Sequence, residues 1–177
     1  MRLSKFAYYG DFFVYPLVVA LLAAVAARQT GPGLFTWFLA LAGGVLLWTV
    51  LEYLIHRLFL HAIGPFVAVH HQHHAAPREY IGTPWWISVA VLSAGVGLPA
   101  WLAGGPDVAS GITAGVMLGY WWYGIVHHVI HHRTRIPLAG HFHARRLHHL
   151  RHHHGPARGN FGVTTTLWDS VLGTRID

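Results

Sequence analysis

Four apolar runs set the first limit on what this chain can become. About 20 helical residues cross a hydrocarbon core of about 30 Å, and no backbone group can face lipid unpaired. The runs cover residues 12–27, 34–51, 84–103 and 108–126. Arg28 ends the first, and Gly31-Pro32-Gly33 turns the chain into the second. Gly104-Gly105-Pro106-Asp107 separates the third from the fourth, so the pattern predicts two helical hairpins. An all-α, four-transmembrane-helix bundle is the expected fold, with residues 1–177 as a single membrane domain. A cleaved secretory signal is the poorer reading of 12–27, because Tyr8, Tyr9 and Asp11 stand between the basic residues and the apolar run.

Composition supports this. Of 177 residues 54% are hydrophobic and only 10% charged, against roughly 25% in an average soluble domain. An aromatic content of 14% argues against disorder. With no Cys, disulfides, thiolate metal sites and cysteine nucleophiles are excluded. The formal charge of +6 must sit outside the apolar phase, and nucleic acid is not an expected partner. Arg2, Lys5, Arg57, Arg78 and the seven basic residues from Arg133 to Arg175 flank one side of the predicted spans, with Arg28 alone on the other. By the positive-inside rule both termini are expected in the cytoplasm. Gly111, Gly115 and Gly119 form a small-residue ridge on the fourth run, suited to close packing within the bundle or against a second copy in a homo-oligomer.

The 17 histidines are not scattered. All fall between His56 and His74 or between His127 and His154, stretches that the predicted topology gathers at the cytoplasmic face as a His-rich helical cap. Imidazole suits Zn, Cu, Fe and Ni, and residues three or four apart on a helix share a face. The expected metal-binding segments are 52–74 and 127–154. His70, His73 and His74 read as one chelate, as do His149, His152 and His153, while His127 and His131 pair at four apart. His56 and His61, five apart, lie about 140° apart on a regular helix, so they serve different metals or the helix ends between them. One consistent set is His56, His61, His70, His73, His74, His127, His131, His149, His152 and His153. Ten imidazoles are too many for one ion and fit two, each with four or five protein ligands. The choice is open by one residue in the doublets His127/His128 and His148/His149.

These motifs, His-x4-His, His-x2-His-His, His-x3-His and again His-x2-His-His, resemble in type and order those of the fatty acid hydroxylase and sterol desaturase superfamily of membrane di-iron oxygenases. EYLIHR (Glu52 to Arg57) and NFGVTTTLWDSVLGT (Asn160 to Thr174) resemble the fatty acid 2-hydroxylase branch in particular. The resemblance implies O2-dependent α-hydroxylation of a fatty acyl chain or ceramide-like lipid at two iron ions. Sterol and carotenoid oxygenases of the same superfamily are the alternative. Only about eleven residues precede the first run, so electrons are expected from a separate cytochrome b5-, ferredoxin- or flavin-type protein.

Attack on an unactivated C–H bond needs a metal that changes oxidation state, so iron is expected in the working site, although zinc binds such nitrogen sites more tightly and can replace it. All-imidazole ligation leaves positive charge uncompensated. Glu52 or Asp169 is expected to hydrogen-bond a ligand N–H; otherwise Asp169 is a turn or cap residue. Trp122 and Tyr123 lie within two turns of His127 and are candidates to line a substrate pocket, against the ordinary role of such residues as interfacial anchors. A haem protein or a metal transporter would place its ligands within the spans, where this chain has none. A non-catalytic metal-storage or sensing protein has the same spacing and is separated from an oxygenase only by turnover.

Overall fold

The computed structural model describes residues 2–28, 32–133, 140–155 and 158–176. All elements among them are helical: α1 (Lys5–Ala26), α2 (Pro32–Leu54), a π-helical turn (Ile55–Leu60), α3 (Val67–Ala75), α4 (Trp85–Leu92), a second π turn (Ser93–Gly97), α5 (Leu98–His132), α6 (His141–His154) and α7 (Leu167–Val171). The chain forms two compact units.

One unit comprises Leu3–Trp48 and Thr83–Trp121. Ser4 starts α1 by accepting the Ala7 N–H on its hydroxyl. Phe13, Leu17, Leu21 and Val25 recur every fourth residue on α1 and are exposed, an apolar face that suits lipid rather than water. The inner faces meet at Ala26, Trp37 and Ala114. The glycine ridge of α5 lies on α2 of the same chain. A Cβ at Gly115 would stand 2.1 Å from the Leu41 carbonyl oxygen, and one at Gly119 would stand 2.4 Å from Cγ of Trp48.

Three helical stretches are long and apolar enough to cross a membrane, Lys5–Ala26, Gly33–Leu60 and Trp85–His132. The third takes in both runs expected at 84–103 and 108–126, and it is not straight. Gly105 has φ 77° and ψ −175°, and Pro106 follows. A Cβ at Gly97 would lie 2.9 Å from Oγ1 of Thr113, sixteen residues on, so the chain doubles back across Gly105.

The other unit comprises Arg2, Thr49–Gly82 and Trp122–Asp177, and holds every histidine. Its apolar core is Val126, Ile130, Phe142 and Val163. A β-bridge between Arg2 and Ile81 and an ion pair of 3.5 Å between Arg2 and Glu79 attach the N-terminus to it.

Candidate metal centre

The ten selected histidines converge in two groups of five, each with donor nitrogens within 4.8 Å of one another. His56, His61, His70, His74 and His152 form the first; His73, His127, His131, His149 and His153 form the second. The groups are neighbours, with the rings of His74 and His153 stacked at 4.1 Å.

Local winding explains the membership. His56 and His61 fall in the same group because the chain changes to π-helical winding over Ile55–Leu60, where hydrogen bonds run i to i+5 and residues five apart come into line. His61 caps that turn. Of the two alternatives, different metals or a helix that ends between the two residues, the second fits: the helical segment ends at Leu60, and it does so in a π turn rather than a regular helix. The two His-x2-His-His motifs also differ from the single chelates expected of them. His70 and His74 enter the first group and His73 the second, while His149 and His153 enter the second and His152 the first. On an α-helix residues four apart are offset by only about 40°, whereas the third and fourth positions after a residue are about 100° apart. Each motif therefore gives a pair to one group and a single donor to the other.

The nitrogens stand as ligands of a shared ion would. In the first group Nε2 of His70 lies 2.9 Å from that of His61, 3.0 Å from that of His74 and 3.1 Å from that of His56. Nε2 of His152 lies 3.0 Å from that of His61 and 3.1 Å from that of His74. In the second, Nε2 of His149 lies 3.0 Å from that of His131 and 3.1 Å from that of His153. Nitrogens about 2.1 Å from one ion and at right angles to each other would be about 3.0 Å apart. Without an ion these contacts cannot all be hydrogen bonds, because Nε2 of His70 meets three other Nε2 atoms and carries at most one proton. The Nδ1–H groups of His56 and His152 donate to the carbonyls of Phe161 and Gly159, at 2.5 and 2.8 Å, which leaves lone pairs on both Nε2 atoms facing other nitrogens. Nε2 of His73 is buried with no hydrogen-bond partner among the described residues. A divalent cation resolves all three, so the residues fit the metal ions their composition implies.

Electrostatics keeps these imidazoles neutral, the form that binds metal. Burial, followed by the other histidines, pushes His61 and His73 down to about 4 and His74 to about 3. Burial and the same crowding hold His70, His149 and His153 far below the ordinary histidine value.

The unselected histidines go elsewhere. His148 pairs with Asp169 at 3.0 Å, so that of the His148/His149 doublet it is His149 that lies in the second group, and His128 stacks on His132 at 4.5 Å. His71, His141, His143 and His154 are exposed.

Asp169 is buried, and its hydrogen-bond partners among the described residues are not metal-site imidazoles. Oδ1 accepts from the Phe161 N–H and the Thr174 hydroxyl, and Oδ2 from the Gly162 N–H and His148. Burial opposes its charge, but these bonds prevail and hold its carboxyl below the usual carboxylate value. Glu52 accepts the Val163 and Thr164 N–H groups at 2.6 and 2.9 Å, together with the Thr164 hydroxyl. Both carboxylates thus act on the 159–164 loop, whose carbonyls in turn meet His56 and His152. No spacing rule points to those carbonyls or to Asn160; the only signal is the tail segment itself. Tyr123 stacks on His127 at 5.5 Å, while Trp122 is half-exposed and meets Phe142 at 5.9 Å.

Comparison with known proteins gives a consistent picture. The model of the family described as fatty acid hydroxylase matches residues 41–174. A dihydroceramide fatty acyl 2-hydroxylase of Arabidopsis thaliana is 32% identical over 77% of this chain and 60% of its own length. A fatty acid 2-hydroxylase of Rattus norvegicus is 34% identical over 75% of this chain and 38% of its own. The chain thus spans about three fifths or less of these relatives. Among solved structures, full-length scs7p, with only its hydroxylase domain visible, superposes with a TM-score of 0.81 at 26% identity, over 97% of this chain and 67% of that one.

Proposed function

Because the chain belongs to the fatty acid hydroxylase family, we propose that it is a membrane monooxygenase that hydroxylates C2 of a fatty acyl chain or ceramide-like lipid. The carrying observation is the convergence of ten imidazoles, drawn from four separated segments, into two five-donor groups. In this reading the first group holds one iron ion and the second another, and zinc can take their place in purified protein. Bound iron supplies the redox change by which one atom of O2 enters the C–H bond and the other leaves as water, with two electrons from a separate cytochrome b5-, ferredoxin- or flavin-type donor and two protons.

The chain's own residues prepare that chemistry. The Gly159 and Phe161 carbonyls fix the tautomers of His152 and His56, so that Nε2 presents a lone pair. The buried carboxylates Glu52 and Asp169 offset part of the charge that neutral ligands leave on two cations. Tyr123, stacked on His127, limits the freedom of that ring, and with Trp122 it is assigned to the acyl approach.

Membrane placement follows the same proposal. The doubling back at Gly105 supports two crossings within 85–132 and hence four in all, with both termini and the histidines on the cytoplasmic side by the distribution of arginine.

Iron-loaded protein supplied with reductant, O2 and acyl, ceramide, sterol or carotenoid lipids tests the reading. The expected results are a 2-hydroxyacyl product by mass spectrometry and a metal-to-protein ratio near two. A ratio near one, or no product from any lipid, overturns it; the second result would favour metal storage or sensing.

A further inference from the structure

The two histidine groups match in donor number and differ in what stands behind the donors. Behind His56 and His152, both in the first group, lies the 159–164 loop with its two accepting carbonyls. That loop is fixed from every side. Asp169 takes two of its N–H groups and Glu52 two more. Asn160 sits at φ 56°, and its side chain bonds the carbonyls of His148 and Ile176 and the Ile176 N–H. Neither Gly159 nor Gly162 has room for a Cβ, which would lie 2.3 Å from the Thr174 carbonyl oxygen and 2.0 Å from that of Thr165 respectively. In the second group, by contrast, Nδ1 of His149 and Nδ1 of His153 are buried and have no hydrogen-bond partner among the described residues.

A carbonyl behind a ligand imidazole locks its tautomer and ring plane and raises the basicity of the metal-facing nitrogen. Loss of such a partner typically costs about 10–100-fold in affinity. We propose that the two ions are held unequally: the group of His56 and His152 is the tight site, with Asp169 and Glu52 as positioning residues acting through the loop, and the group of His149 and His153 releases its ion first. This rests on the two-ion reading above and adds an order of occupancy to it.

The test uses the full chain loaded with zinc(II) in detergent, equilibrated against a graded chelator, with zinc per chain read by elemental analysis and native mass spectrometry. Two steps at least tenfold apart in free zinc are expected, with a plateau near one ion. His149→Ala should abolish the weak step and His152→Ala the tight one. Asp169→Asn places an amide N–H where Oδ2 accepts two bonds, and should weaken the tight step about 10–100-fold while leaving the weak one within about threefold. Glu52→Gln and Gly162→Ala, which disturb the same loop differently, should act in the same direction, and circular dichroism melts identify any variant that fails to fold. Simultaneous release of both ions, loss of the tight step in His149→Ala, or equal weakening of both steps by the loop variants that fold overturns the inference; equal weakening is what general destabilisation produces. Wild-type protein that never loads two zinc ions overturns the two-ion reading instead.

Discussion

Individual histidines in this chain differ more by burial and partner than by neighbourhood in the sequence. His73 and His141 both belong to histidine-rich segments, yet the first is buried with an Nε2 that has no hydrogen-bond partner among the described residues, and the second is exposed. His73→Ala and His152→Ala, which remove proposed ligands themselves, are each expected to abolish hydroxylation, a larger loss than the roughly 10–100-fold cost of removing a ligand's hydrogen-bond partner, while His141→Ala retains wild-type turnover under the same assay. Acid response follows from the same burial. A histidine whose folded pKa lies below its unfolded value of about 6.5 takes up protons more readily when unfolded, so stability falls as pH drops between the two values. With His61 and His73 near 4, the thermal midpoint of metal-free protein should be level above about pH 6.5 and fall from there toward pH 4. The slope approaches about 1.4 kcal/mol per pH unit for each deeply buried imidazole. A midpoint that rises on acidification would contradict the neutral, crowded clusters.

At the level of elements, the helices were legible and the way two of them wind was not. Apolar runs located α1, α2 and the two limbs that meet at Gly105, because lipid-facing helices announce themselves by length and hydropathy. The donor types and spacings likewise singled out the ten converging histidines. Their partition was hidden in part: the π turn at Ile55–Leu60 leaves no mark in spacing counted at 3.6 residues per turn, whereas the split of α3 and α6 follows that spacing but not which neighbour each donor meets. The 159–164 loop was hidden for another reason: it contributes backbone carbonyls, which every residue has. The glycine ridge shows the opposite case, where sequence left the partner open and geometry supplies it. With the Leu41 carbonyl 2.1 Å from a Cβ at Gly115, Gly115→Val must force α5 away from α2. It should destabilise the protein by about 1–3 kcal/mol, as overpacking does, seen as a lower thermal midpoint in detergent; an unchanged midpoint would mean that the ridge is not a close contact.

For the molecule as a whole, the two compact units have different sources of order. The unit of Leu3–Trp48 and Thr83–Trp121 is held by apolar helix faces, and its outward surface calls for lipid. The histidine unit has a small apolar core of Val126, Ile130, Phe142 and Val163, and asks four segments distant in sequence to bring imidazole nitrogens within about 3 Å of each other. If the proposed cations bind there, they would close long loops and stabilise that unit by mass action without touching the contacts of the other. Stripping metal from the purified protein should therefore raise amide hydrogen exchange in α3, in α6 and in the 159–164 loop, while the backbone of α1 and of residues 111–121 keeps its protection. Exchange that rises equally in both units would show that the ions support the whole chain; exchange unchanged everywhere would show that the histidine unit is ordered by its own packing, and the proposal that ions organise it would fall.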